Sequence, residues 1–222
     1  MSRLIVKIGG SVASQAAAHV LDLATGANEV CVVHGAGPQI TAEMRRFHVP
    51  VRFVGGRRVT TPAGLMLVRR ALAATNRSLC AALGPAAVGL LGDEIGLEAV
   101  LVPGLGLVGD PLPSSPPAVE EALAAGQIPV VAPLAEGPLN VNADEAAAAL
   151  AIGLGAERLL FVTDVPGLLL EGAVVPSIEA VEADRLLTEG DLEGGIVPKL
   201  LAAAVAARSG VAAEIGVTAV VA

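Results

Sequence analysis

The chain has 222 residues, 54% of them hydrophobic, 16% charged and only 1% aromatic, with no Trp or Tyr. That length accommodates one large domain or two lobes around a shared sheet, with a core built from Ala, Val, Leu and Ile. A formal net charge of −8 and the scarcity of aromatic stacking platforms argue against nucleic-acid binding.

An anionic ligand therefore has to be held locally, by particular lysines, arginines and backbone amides. Apolar runs are cut before the roughly 18 residues that a membrane span needs, and no signal-peptide pattern opens the chain. Cys31 and Cys80 have apolar neighbours and belong to no CxxC pair. They read as inert core thiols in a reducing cytoplasm, with a disulfide or a reactive Cys31 beside His34 as the alternatives.

In chain order, "RLIVKI" predicts a buried strand, "GGS" a turn and residues 12–25 a helix. "EVCVV" predicts the next strand, followed by "HGAGPQ" and an amphipathic stretch to Phe47. Such alternation argues for a parallel sheet covered on both faces. "VPVRFVGGRRVTT" breaks the rhythm and reads as a β-hairpin turning at Gly55-Gly56. Pro62 suits the first turn of a helix running to about Leu83.

"LEAVLV" and "LGLV" read as short strands, and "DPLPSSPP" as a connector whose Ser114 or Ser115 caps the next helix. "IPVVAPL" predicts a buried strand, and residues 142–153 a helix. "RLLFVTDVPGLLLEGAVVPSI" predicts a strand, a tight turn and a hairpin around Glu171-Gly172. "EGGIVPKLLAAAVAARSG" predicts a helix stopped at Gly210, and "AAEIGVTAVVA" a short final strand.

Three glycine-bearing turns follow apolar strands: Gly9-Gly10, Gly35-Ala36-Gly37 and Gly92. Missing side chains let a ligand approach the backbone, at the strand ends where open sheets bind ligands. No GxxxxGK[ST] stretch occurs. Lys7 suits either an edge lysine reaching solvent or a charge aimed at a phosphate beside Gly9-Gly10. Lys199, after Gly194-Gly195, leaves the same choice open.

Asn142 and Glu145 have capping-box spacing, and Asp144 suits a helix N-terminus. Capping leaves Asn140 unexplained, and Asp144 is also placed to orient two lysines. Arg57 and Arg58 are either solubilising charges or a bidentate grip on a carboxylate. His34 is either a base or a structural hydrogen-bonding group.

Taken in order, "VKIGGS", "VVHGAGPQI", "GGRRVT", "LAATNRSL", "AVGLLGD", "IPVVAPLAEG", "LNVNADEAAAALA", "VTDVPGLL" and "GGIVPKL" resemble the amino acid kinase family, and within it the N-acetylglutamate kinases. The resemblance spans roughly residues 3–210. It implies a three-layer αβα sandwich with a mainly parallel central sheet and a shortened C-terminal end. Residues 1–135 would form the lobe for acyl-amino-acid binding and dimerisation, and 136–222 the lobe for ATP.

The implied reaction passes the γ-phosphoryl of ATP to the γ-carboxylate of N-acetyl-L-glutamate. Mg2+ would be held mainly by phosphates and water, without a dedicated protein ligand. Lys7, Lys199 and Asp144 take the catalytic positions. Gly35, Ala36, Gly37, Arg58 and Asn140 take the substrate side, and Gly9, Gly10, Asp164, Val165, Gly167 and Gly195 the ATP side.

Three departures from the family pattern carry expectations. Ala36 replaces a glycine, so a positive φ there would be strained. The region after Gly210 lacks a helix and its loops. The first strand begins near Arg3, without the extra helix of arginine-regulated members, which implies an arginine-insensitive homodimer. A carrier-linked α-aminoadipate kinase and a non-catalytic ligand-binding relative stand as alternatives.

Overall fold

The computed structural model describes residues 2–10, 13–26, 28–163, 165–190, 192 and 194–222, with the backbone alone for 13–15. The chain opens with β1 (Arg3–Ile8), α1 (Ala13–Thr25), β2 (Glu29–His34) and α2 (Gly37–Arg46). A hairpin of β3 (Phe53–Val54) and β4 (Arg57–Arg58) leads to α3 (Pro62–Leu83). The Thr61 side chain caps α3 by accepting from the Gly64 amide. Next come β5 (Ala87–Leu91), a 3-10 turn at Gly92–Glu94, β6 (Ala99–Leu101), β7 (Val108–Pro111) and α4 (Pro117–Ala124).

β8 (Ile128–Ala132), β9 (Leu134–Ala135), β10 (Leu139–Val141) and α5 (Ala143–Gly153) precede β11 (Arg158–Val162). The hairpin of β12 (Leu169–Leu170) and β13 (Ala173–Val174) turns at Glu171-Gly172, as expected, with both residues at positive φ. β14 (Ser177–Glu179), α6 (Ala180–Glu189), α7 (Ile196–Arg208), β15 (Ala212–Ile215) and β16 (Thr218–Val221) complete the chain.

Eight strands form the central sheet in the order β14-β16-β15-β11-β1-β2-β8-β5. All its neighbours are parallel except β15 and β16. Parallel pairing brings carboxyl ends to one edge, so Ile8 of β1 lies between His34 of β2 and Val162 of β11. A smaller sheet, β6-β7-β10-β9, joins β10 to strands from before residue 136.

Strand periodicity divides the core. Leu4, Val6 and Ile8 of β1 pack with Val20 of α1 and Leu79 and Leu83 of α3. Ile5 faces the opposite way, into a cluster holding Ala147 and Leu150 of α5 and Leu200 and Ala203 of α7. Lys7 shares that second face at the carboxyl end of the strand. The alanines that dominate α5 and α7 are buried together there, and their small side chains let two helices and a sheet approach closely.

The result is an α/β fold with helices on both faces of a largely parallel sheet. The layers are uneven: α1 and α3 pack against the β1, β2, β8 and β5 half. On that same face, beyond β11, the sheet presents Ser177, Glu179, Ala212, Glu214, Ala219 and Val221, none of them buried. Such small and polar side chains suit a solvated face.

Four expectations need correction. The segment after Gly210 is an antiparallel pair, β15 and β16, rather than one strand. Its turn needs Gly216, which has φ +57, and a Cβ there would sit 2.2 Å from the Pro166 carbonyl. Neither Ser114 nor Ser115 caps α4: Pro116 is the N-cap, and Ser115 Oγ donates instead to Glu120. Gly92 serves packing rather than a ligand, since a Cβ would meet the Leu134 carbonyl at 2.0 Å. Helix α6 was not foreseen; its "AVEADRLL" stretch follows the hairpin without a side-chain cap to signal it.

Candidate functional site

A cavity of about 420 Å³ opens at the carboxyl edge of the sheet, over the ends of β1 and β2. Gly9 and Gly10 form one wall and Gly35, Ala36 and Gly37 another. The loops are stitched together: the Gly35 amide donates to the Ile8 carbonyl (2.9 Å), and Gln39 Nε2 to the Gly10 carbonyl (3.0 Å). Ala36 has φ −145, so the alanine is accommodated without left-handed backbone and the expected strain is absent.

Lys7 enters this cavity from β1 and Asp144 from the first turn of α5. Their side chains are 6% and 8% exposed, and Nζ lies 2.7 Å from Oδ1. Asp144 Oδ1 is shielded from solvent and held by charge rather than by a well-angled hydrogen bond. Lys199, one turn into α7, places Nζ 3.9 Å from the other oxygen, Oδ2, and donates to the Gly195 carbonyl at 3.1 Å.

One carboxylate thus spans two ammonium groups drawn from opposite ends of the chain. Lys7 does not reach solvent, and Lys199, with a side chain 14% exposed, does not stand clear of the site. The trio carries net positive charge inside a protein of net charge −8. Together with glycine walls that leave backbone accessible, it suits a multiply charged anion.

Asn142 is the N-cap of α5; its Oδ1 accepts from the amides of Asp144 (2.8 Å) and Glu145 (3.4 Å). The capping box stays half-formed, because the Glu145 carboxylate turns to Arg57 Nε at 2.9 and 3.1 Å. Capping leaves Asn140 free for another task, as expected. Its Nδ2 donates to Thr60 Oγ1 (2.9 Å), and that hydroxyl donates to the Arg58 carbonyl (2.7 Å).

Arg58 is buried rather than solubilising. Its guanidinium donates to the Gly37 carbonyl (3.1 Å) and Thr41 Oγ1 (2.8 Å), and lies 4.6 Å from the centroid of the Phe53 ring. Burial pulls its pKa below the usual arginine value, yet a guanidinium stays charged at neutral pH. Among the described residues it has no carboxylate partner. A buried cation so placed at the rim of a cavity suits a carboxylate ligand.

His34 is wholly buried and structural. Asn76 Nδ2 approaches Nε2 at 3.1 Å, and Nδ1 lies 3.4 Å from the Gly35 carbonyl, so these partners assign the proton to Nδ1. Burial drives its pKa down to about 4 despite that carbonyl. Cys31 is buried with its thiol pushed up to about 12, and Cys80 is also free, so both read as inert.

A second space of about 420 Å³ adjoins Lys199, lined by Val165, Gly167, Leu169, Gly195 and Ile196. Asp164 lies outside the described residues. Gly167 is also needed for packing, since a Cβ there would meet Thr218 Oγ1 at 2.5 Å. The sequence reading gave no role to Gln39, Thr41, Thr60 or Asn76. Gln39, Thr60 and Asn76 stand inside quoted motifs, and for Asn76 a polar residue in a largely apolar helix was the available signal.

The fold and cleft define an α/β protein whose sheet edge gathers basic side chains around one buried carboxylate. Residues 2–217 match the amino acid kinase family, and the chain belongs to that family. It is 43% identical over 224 residues to the acetylglutamate kinase of Rubrobacter xylanophilus, covering 97% of this chain and 88% of that protein. It is 38% identical over 215 residues to the acetylglutamate kinase of Geobacillus stearothermophilus, covering 90% and 83%. The crystal structure of smu.665 from Streptococcus mutans UA159 superposes with a TM-score of 0.89 at 29% identity, over 99% of this chain and 98% of that one. No helix among the described residues is long and apolar enough to cross a membrane.

Proposed function

We propose that this protein is a kinase that transfers the γ-phosphoryl group of ATP to the γ-carboxylate of N-acetyl-L-glutamate. The observation that carries the reading is Asp144 held between Lys7 and Lys199 beside glycine-walled loops. The likeness to acetylglutamate kinases over nearly the whole chain supports the choice of acceptor.

In this reading residues 1–135 supply the acceptor side and a dimerisation surface, and 136–222 the nucleotide side. Asn140 reaches back to the acceptor through β10. Arg58 grips the acceptor α-carboxylate, and Asn140, Gly35, Ala36 and Gly37 line its site. Gly9, Gly10 and Gly195 offer backbone to the phosphates; Val165 and Gly167 flank the base.

Transfer is a direct displacement. A γ-carboxylate oxygen bonds to phosphorus as the bond to the bridging oxygen breaks, giving an acyl phosphate and ADP. A carboxylate is already nucleophilic, so no strong base is needed. Two anions must meet, and Lys7 and Lys199 offset their repulsion while Asp144 fixes both ammonium groups. Mg2+, when bound through phosphate oxygens and water, supplies further charge neutralisation. The site fits these partners because its buried charge is cationic and its walls expose backbone. A cytoplasmic homodimer completes the proposal; light scattering that returned a hexamer would contradict it.

The test measures ADP release and hydroxylamine trapping of the acyl phosphate, with MgATP and four acceptors: N-acetyl-L-glutamate, L-glutamate, N-acetyl-L-aspartate and N-acetyl-α-aminoadipate. Trapping with N-acetyl-L-glutamate alone is expected. Preference for the aminoadipate compound would favour a lysine-pathway kinase. Nucleotide binding by folded protein without turnover on any acceptor would favour the carrier-linked or the non-catalytic alternative.

A further inference from the structure

We propose that Arg57 is a positioning residue that ties the acceptor-gripping hairpin to the helix carrying Asp144. The proposal rests on the kinase reading for the roles of Arg58 and Asp144. Successive residues of a strand point to opposite sides, so β4 sends Arg58 into the cavity, while Arg57, which also lines it, directs its guanidinium to α5 and β7. Arg57 Nε contacts both Glu145 oxygens at 2.9 and 3.1 Å, and its Nη2 reaches Asp110 Oδ1 at 2.6 Å.

Glu145 is the residue after Asp144, on the first turn of α5, and its side chain is only 13% exposed. Asp110 belongs to β7, the strand paired with β10 and thus with Asn140. The hairpin also meets α7, where a Cβ on Gly56 would lie 3.7 Å from Pro198, the neighbour of Lys199. Through two adjacent arginines a six-residue hairpin touches α2, α5 and β7, and its turn at Gly56 lies beside α7. These are the elements that carry Gly37, Asp144, the β10 partner strand and Lys199.

The chemistry suits positioning better than surface decoration. Exposed ion pairs contribute little, but this one holds a largely buried carboxylate through a planar guanidinium that serves two acids at once. Burial raises the Glu145 pKa, and the Arg57 hydrogen bond and charge oppose that rise. Removing Arg57 would free the hairpin and leave an unneutralised carboxylate beside Asp144, facing a site that must admit anions. Lysine would keep the charge but lose the fork.

The experiment compares steady-state kinetics and hairpin hydrogen exchange in wild type, Arg57→Ala, Arg57→Lys, Glu145→Gln and the double variant Arg57→Ala/Glu145→Gln. With Arg57→Ala we expect KM for N-acetyl-L-glutamate to rise about tenfold, the scale of one charge-assisted contact, and KM for ATP to change less than about twofold. Arg57→Lys, the mildest change, should fall between the two. If Arg57 acts through Glu145, the double variant should be no worse than Arg57→Ala. Exchange should quicken at Val59, whose amide bonds to the Arg52 carbonyl.

Unchanged acceptor KM in Arg57→Ala, or strictly additive effects in the double variant, would overturn the proposal while leaving the kinase reading intact. If wild type fails to turn over the acceptor, the kinase reading fails, and exchange alone decides the tether. Faster exchange over residues 52–59 in Arg57→Ala supports it, and unchanged exchange refutes it.

Discussion

On the hairpin side of the cleft, polar groups are side chains held by other side chains. Arg58 rests on Thr41 and Phe53, Asn140 on Thr60, and Arg57 on Glu145 and Asp110. On the α7 side, beyond Lys199, the lining is mostly apolar: Val165, Leu169 and Ile196, with Thr163 and the backbone of Gly167 and Gly195. A network of directed charges discriminates strongly, because an ill-fitting ligand leaves buried polar groups unpaired. An apolar slot with accessible backbone suits a flat base and its phosphates, which demand less. The hairpin side is thus the proposed seat of selectivity, and Lys7, Asp144 and Lys199 form the seam between the two.

If that division holds, changes at the seam should act on kcat and changes on either side on one KM each. The largest effect is expected at the seam itself. Lys7→Ala or Asp144→Asn should lower kcat roughly 100- to 1,000-fold, the scale of losing one group aimed at developing charge. Steady-state rates on folded protein check this. Arg58→Ala should raise acceptor KM by roughly 10- to 100-fold with ATP KM little changed, and Arg58→Lys should not restore it.

On the other side, Val165→Ala should raise KM for ATP by roughly fivefold, the worth of one modest apolar contact, and leave acceptor KM alone. A variant on one side that moved both constants equally would erase the distinction.

A separate effect concerns stability. His34 is buried neutral with a pKa near 4, against 6.5 for the free side chain. Between those values the unfolded chain binds the proton and the folded one does not, so the stability His34 contributes is present above pH 6.5 and lost as pH falls toward 4. The linkage amounts to on the order of 3 kcal/mol. Thermal melts from pH 7 to 4 should fall more steeply for wild type than for His34→Gln, which can still accept from Asn76.

Much of this was legible in the sequence where local rules act alone. β1, β2, α3 and the hairpin at Gly55-Gly56 follow from apolar runs, Pro62 and paired glycines, and the structure places them there. Asp144 was legible as a residue between two lysines because Asn142 accounts for the cap and leaves the acid spare. What sequence withheld depends on partners far along the chain. Glu145 has capping-box spacing, yet it belongs to Arg57, 88 positions away. Gly92 reads as a ligand turn, yet it is small because the Leu134 carbonyl lies against it. Ala36 threatened strain only if its φ were positive, and no local pattern determines that sign.

In the proposed reaction Lys7 and Lys199, held by Asp144, converge on one transferring phosphoryl group. A crystal structure with MgADP, aluminium fluoride and N-acetyl-L-glutamate tests it most directly. The fluoride should lie in line between ADP and the acceptor γ-carboxylate, with both lysine Nζ atoms within hydrogen-bonding distance. A fluoride bound away from either lysine, or an acceptor whose carboxylate does not meet Arg58, would contradict it.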